Sequence, residues 1–458
     1  MSSEAGALTL DDIRICLEGA VPGVMATCAA DGTPNVAYLS QVDYVDARHV
    51  ALSFQFFNKT RRNVLEQPGV AILVVHPLTS AMYRVRARYC ETQTTGPLFE
   101  RMKAKLAGIA SHTGMAGVFR LLGSDVYEVL GIDHVRKPDL PAPPAGLNHL
   151  AALRRCAQAL AGAADLDALL DAALDGLRAQ FGIGQSMVLL FDAPAQRLYT
   201  VASRGYAGSG AGAEIAVGAG VIGVAARERC PIRISHLTSE QAYMQAVRAS
   251  LGEAVVPAGR EIPWPGLPQP RSQLAVPLLA LGELTGVLFV ESERDMRFGY
   301  DDEDALVALG AQLALAMRQL QACGEAAAAE PAPEVPTPGP VVEPVLESGG
   351  APVQVRYYEA DGSVFLDHDY LIKGVAGTVL WTLLSDHLAA GRCEFSNREL
   401  RLDPRIRLPD ISDNLEARLV LLARRLADRQ ACVRLEKAGR GRLRLCVSRP
   451  LVLQALPS

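Results

Sequence analysis

The stretch FNKTRRNVLEQPGVAILV, residues 57–74, decides how the N-terminal third folds. It joins the β-prone run HVALSFQF (49–56) to VAILVVH (70–76) through a cationic turn and a helix that must stop before Pro68. Free N–H groups at a helix start, with Lys59 and Arg62 beside them, suit a phosphate. Outward from this point the strand signals continue. The Asp31-Gly32 turn between VMATCAA (24–30) and NVAYLSQV (35–42) marks a hairpin. YRVRARYCE (83–91) alternates strictly, with Arg84, Arg86 and Arg88 on one face and Val85 and Ala87 on the other. GPLFERMKAKLAGIA (96–110) has helical spacing, and VYEVLGIDHV (126–135) reads as a last strand. Several antiparallel strands with few helices predict a small barrel over residues 8–136.

On these residues the segment resembles the pyridoxamine 5'-phosphate oxidase-like FMN-binding split barrel. The resemblance implies that Ser53 and Phe54 line a flavin ring, that Asn58, Lys59 and Thr60 hold its phosphate, and that Arg62 stands nearby. It also implies a homodimer with flavin at the subunit interface. FMN is the implied cofactor, with FAD or haem as the alternatives found on this fold. The true oxidases carry an Arg and a Lys on the strand matching Asn35–Ser40, and this chain has neither, so vitamin B6 oxidation is not expected. His76, His112 and His134 stand alone, without the spacing of a ligand set, and read as structural residues.

The second segment, 147–323, opens with amphipathic helical patterning, Leu166, Leu169, Leu170, Leu174 and Leu177 recurring on one face. Strand–turn–strand signals follow in QSMVLLFDAPAQRLYTVASRG (185–205), then GVIGVAARERCPIRI and SQLAVPLLALGELTGVLFVES, then a closing helix over 298–321. This order resembles a GAF domain, which implies a sensory α/β sandwich with an unknown small ligand. Cys230 reads as a passive core thiol, and Trp264 sits in a proline-rich insert over the pocket or an interface.

The stretch 324–352 holds seven prolines, five glutamates and no Lys or Arg. It reads as an extended acidic linker. Beyond it, 353–450 reads as strands around Asp361-Gly362, a helix over 374–391, a helix capped by Ser396 with Glu399 three residues on, a helix over 412–429 and a hairpin over 433–447. DNLEARLVLLARRL and VRLEKAGRGRLRL resemble the winged helix of response-regulator output domains. That resemblance implies DNA contacts from Arg418, Arg424, Arg425 and Arg429 on the third helix and from Lys437, Arg440, Arg442 and Arg444 on the wing. Val420 and Leu421 stand where DNA readers place polar side chains, so sequence-specific readout is weakened and a protein partner is the alternative.

Composition sets the outer bounds. The 458 residues are 49% apolar and 21% charged, enough for several packed cores and too little charge for wholesale disorder. The net charge is −5, yet residues 398–449 carry 14 Lys/Arg against 7 Asp/Glu, so an anionic partner suits that end alone. Nine scattered cysteines without a C-x-x-C pair read as reduced thiols. No apolar run reaches membrane-span length and no secretory signal is visible at the start, so a cytoplasmic protein is expected. The fold class expected is multidomain α+β: split β-barrel, GAF sandwich and winged helix. The function expected is a bacterial-type sensory regulator, in which the barrel and the GAF domain control a DNA-binding output. A flavin-dependent oxidoreductase and a cofactor-free dimeric scaffold are the alternatives. No acid, base or nucleophile constellation is identified.

Overall fold

The computed structural model describes residues 8–17, 21–39, 41–54, 59–96, 98–103, 121–140, 146–234, 262–329, 351–406, 415–439 and 441–457. The N-terminal unit is one antiparallel sheet of seven strands: β1 (Gly23–Cys28), β2 (Pro34–Leu39), β3 (Val42–Tyr44), β4 (His49–Phe54), β5 (Gly69–Val75), β6 (Met82–Gln93) and β7 (Gly123–Arg136). Their order is β2-β1-β5-β6-β7-β4-β3. β2 and β3 lie at opposite edges, yet Leu39 and Val42 are three residues apart, within ~11 Å of chain. The sheet must therefore curl to bring its edges together, which makes it a half-barrel. The β1–β2 hairpin turns at Asp31-Gly32, where Gly32 has φ +86° and the Asp31 carboxylate accepts from Thr33 N at 2.9 Å. Val85 and Ala87 of β6 point inward with Tyr83, while Arg84, Arg86 and Arg88 face out. Leu10, Ile13 and Leu17, around a short 3₁₀ turn, pack into the same core.

The middle unit is a six-stranded sheet: β8 (Gln185–Asp192), β9 (Arg197–Arg204), β10 (Glu214–Ala216), β11 (Ile232–Ile234), β12 (Ser272–Ala280) and β13 (Glu283–Ser292), in the order β10-β9-β8-β13-β12-β11. Helices α2 (His149–Ala161), α3 (Leu166–Phe181) and α5 (Tyr300–Ala329) share one core with Val188, Val276 and Leu288. Helix α4 (Gly220–Glu228) covers Met187, Leu189, Val287 and Phe289 on the other side. Asp165 caps α3 through Ala168 N, and Gly182 ends it at φ +62°. α5 runs to Ala329, into the stretch read as linker, because Glu325–Ala329 is a strong helix-forming run.

The C-terminal unit has two sheets. β14 (Val353–Tyr358), β15 (Ser363–Leu366), β16 (Asp369–Ile372) and β20 (Leu451–Leu456) form one, ordered β16-β15-β14-β20, with β20 parallel to β14. β17 (Glu394–Ser396), β18 (Val433–Lys437) and β19 (Arg442–Val447) form the other. Helices α6 (Gly374–Ala390), α7 (Asn397–Leu402) and α8 (Leu415–Asp428) complete it, with Leu380, Leu383, Leu400, Leu422 and Leu426 buried together. The Ser396–Glu399 capping box forms as read, and the Tyr357 ring stacks on Trp381 at 4.9 Å. β20 was not anticipated. No helix among the described residues is long and apolar enough to cross a membrane.

Candidate functional site

In the barrel, β4 ends at Ser53 and Phe54, and helix α1 (Lys59–Glu66) begins five residues on. The helix is short and polar, so side-chain tethers fix it. Asn35 Nδ2 donates to Thr60 Oγ1 at 2.8 Å, and Asn63 Nδ2 donates to Thr27 Oγ1 at 3.2 Å. Both tethers run to the β1–β2 hairpin, and they hold the first turn of α1 against the sheet. Lys59 and Arg62 are exposed, and Asn58 lies outside the described residues.

The inward cation is Arg61, which the sequence reading passed over. Its Nη1 donates to both oxygens of Asp125 at 2.7 and 2.8 Å, and its Nη2 donates to Thr92 Oγ1 at 3.0 Å. Thr92 in turn donates to Asp125 at 2.6 Å. The Arg61 guanidinium lies 3.8 Å from the centre of the Phe54 ring. The pair is nearly buried, with side-chain exposures of 14% and 9%, so the local dielectric is low and the bidentate geometry counts. Ser53 and Ser124 face each other across β4 and β7, and both hydroxyls are buried with no hydrogen-bond partner. Buried hydroxyls normally have partners. Two orphans on one face of the β4–β7 pair, at the approach to a helix that starts with Lys59 and Thr60, fit a polar ring system with a phosphate tail, while the Phe54 ring stands with Arg61 on the opposite face.

His76 and His134 make contacts within their own unit. His76 Nδ1 accepts from the backbone N–H of Leu78 and Thr79, both at 3.2 Å, and burial lowers its pKa. The His134 ring packs at a tilt against Tyr83, ring centres 4.7 Å apart. His112 lies outside the described residues, among which no cluster could hold a metal. Burial pushes the Cys16 thiol up to about 12, which makes it inert at neutral pH.

The GAF half under α4 buries a carboxylate beside an apolar cluster. Glu291 accepts from Leu267 N at 2.8 Å and from Gln273 Nε2 at 3.2 Å, and burial raises its pKa. Trp264 packs near Phe289, with ring centres 6.4 Å apart. Cys230 packs against the apolar cluster of the same half, as a core thiol does.

Six of the eight cations that the resemblance implied for DNA have partners within the chain. Arg418 Nη2 donates to Asp192 at 2.7 Å, and its guanidinium lies 4.7 Å from the Tyr199 ring. Arg424 donates to Asp167 at 2.8 Å and to Asp171 at 2.7 Å. Lys437 reaches Asp165 at 2.7 Å, and Lys373 reaches Glu214 at 3.1 Å. All five carboxylates belong to the GAF unit. Arg425 is turned inward instead, donating to the carbonyls of Leu371 at 2.9 Å and Tyr370 at 3.4 Å, so it ties α8 to β16 rather than facing a partner. Arg429 pairs with Asp369 and Arg444 with Glu394, both within the C-terminal unit. Arg442 is exposed, and Arg440 lies outside the described residues. A cleft remains along the seam, between Asp192, Tyr199 and Glu214 on one wall and Tyr370, Lys373 and Leu421 on the other.

Comparison with known proteins agrees with this layout. Residues 10–129 match the family model described as pyridoxamine 5'-phosphate oxidase, and residues 163–318 match that of the GAF domain. No curated protein matches the chain. Among solved structures, the GAF domain of an Acinetobacter phosphoenolpyruvate-protein phosphotransferase is 20% identical over 39% of this chain and 99% of its own, at TM-score 0.29. An FMN-binding protein from Syntrophomonas wolfei is 17% identical over 28% of this chain and 86% of its own, at TM-score 0.25. Free methionine-R-sulfoxide reductase from Neisseria meningitidis, in complex with its substrate, is 20% identical over 38% of this chain and 91% of its own, at TM-score 0.30. The chain therefore carries a pyridoxamine 5'-phosphate oxidase-like split barrel followed by a GAF domain.

Proposed function

We propose that this chain is a flavin-binding regulatory protein, in which the barrel and the GAF domain govern a C-terminal winged-helix output that meets DNA. The observation that carries the flavin assignment is the pair of unpartnered hydroxyls, Ser53 and Ser124, facing each other across β4 and β7 at the approach to α1. Ser53 and Ser124 would meet the ring, with Phe54 behind them on the other face of β4. The first turn of α1, with Lys59 and the Thr60 hydroxyl, would take the phosphate. A bound flavin supplies hydride or single-electron transfer. The chain's own part is to fix α1 through Asn35 and Asn63.

The DNA assignment rests on the basic balance of residues 398–449 and on the order of α6, α7, α8 and the β18–β19 hairpin. Homodimerisation through the barrel, a small ligand for the GAF domain and a cytoplasmic location complete the proposal.

Titration of the purified chain with FMN, followed by absorption and fluorescence quenching, tests the cofactor assignment. Saturable binding with flavin bands is expected. Lys59→Ala and Thr60→Ala should each weaken it by roughly tenfold, about 1.4 kcal/mol. A chain that stays colourless in excess FMN removes the flavin, and a Soret band replaces it with haem.

A further inference from the structure

The five ion pairs found across the seam between the GAF unit and the C-terminal unit, among the described residues, share one polarity. The cations Arg418, Arg424, Lys437 and Lys373 come from the C-terminal unit, and the carboxylates Asp192, Asp167, Asp171, Asp165 and Glu214 come from the GAF unit. Asp167 and Asp171 stand one turn apart on α3, roughly 6 Å along its axis, and a single arginine bridges them. The apolar residues of the same face fit this arrangement. Val420 and Leu421 lie away from the Leu415–Leu422–Leu426 stripe, yet they are only 6% and 4% exposed. Leu421 lines the seam with Gly212 and Ile262. Both positions that argued against DNA readout are thus buried, Leu421 against the GAF unit.

We infer that the carboxylates of the GAF unit are an internal clamp: they hold the cationic face of α8 in the place of the phosphates of a polyanion, so that the output is masked until the seam opens. This rests on the reading of the C-terminal unit as a DNA-binding output. The clamp is built to be broken. Apart from Arg418–Asp192, which is nearly buried, these pairs are open to water, so each contributes little and salt screens it. Opening the seam uncovers Arg418 and Arg424 together, the two cations that α8 can offer outward from this face.

Hydroxyl-radical footprinting of the full chain tests the clamp. The probes are Val420 and Leu421, with Leu383 and Leu384 of α6, buried in the unit's own core, as internal controls. The triple variant Asp165→Asn, Asp167→Asn, Asp171→Asn is isosteric, and Asn caps α3 as well as Asp does. Labelling at Val420 and Leu421 should rise several-fold in this variant, and in the unmodified chain between 50 and 500 mM salt, with the controls unchanged. Arg424→Asp should open the seam alone, and adding Asp171→Arg should close it again. Retention on a random DNA duplex at low salt should rise at least tenfold in the triple variant. Opening without a gain in DNA retention keeps the clamp and removes the DNA output. Unchanged labelling in the triple variant, or an opened Arg424→Asp chain that Asp171→Arg does not close, overturns the clamp.

Discussion

Helices α1 and α8 both gather cations on a polar surface, and the fold uses them differently. On α1 one arginine, Arg61, turns in to a carboxylate of its own sheet, while Lys59 and Arg62 stay in solvent. On α8 the outward arginines reach carboxylates of another unit, and only Arg425 is satisfied at home. A pair inside one sheet cannot open without unfolding that sheet, so it positions a site. A pair across a seam can open while both units stay folded, so it can regulate.

The sharpest break of this comparison is Asp125→Ala. It leaves the Arg61 guanidinium buried against Phe54 without its carboxylate, and it strips Thr92 of an acceptor. Removing one partner of a buried pair costs about 3–5 kcal/mol. Calorimetry should show the barrel's transition fall accordingly, and a loss below about 1 kcal/mol would place the pair with the surface pairs. Replacing both partners, Arg61→Met with Asp125→Leu, should recover most of the loss, because no charge is then left buried.

Arg425→Ala comes next. It removes charged hydrogen bonds to the carbonyls of Leu371 and Tyr370, a loss of about 2 kcal/mol that salt should not change. Ser396→Ala calibrates the same unit without touching the seam. It breaks the capping box of α7 and should cost about 1 kcal/mol by denaturant unfolding.

Most of the strands, helices and turns were legible because their signals are local. The Asp31-Gly32 hairpin, the alternation of β6 and the Ser396 cap each lie within a few residues of chain. Strand β20 was not, since a parallel pairing with β14, about a hundred residues earlier, leaves no turn signature. The candidate site divides the same way. Lys59 and Thr60 stand out in the run KTRR, but nothing in that run tells Arg61 from Arg62. That choice is made by Asp125, which lies 64 residues away in sequence. Val420 and Leu421 were visible as an anomaly for a DNA-reading helix; both are buried, and Leu421 meets the GAF surface.

The smallest effect expected is the one that separates the two helices best. Arg424 is 18% exposed, and its partners Asp167 and Asp171 are 40% and 43% exposed, so water and salt reach the pair. Asp171 also keeps Arg204, at 2.7 Å, when Arg424 is removed. Arg424→Ala should therefore cost no more than about 1 kcal/mol at low ionic strength. With a Debye length near 10 Å at 0.1 M and shorter above it, most of that difference should vanish in half-molar salt. The Asp125→Ala deficit should persist there, because its geometry excludes the solvent that does the screening. Chemical unfolding of both variants at the two salt concentrations makes the contrast measurable. Equal salt dependence would mean that the seam is as dry as the barrel, and that α8 is fixed to the GAF unit instead of clamped by it.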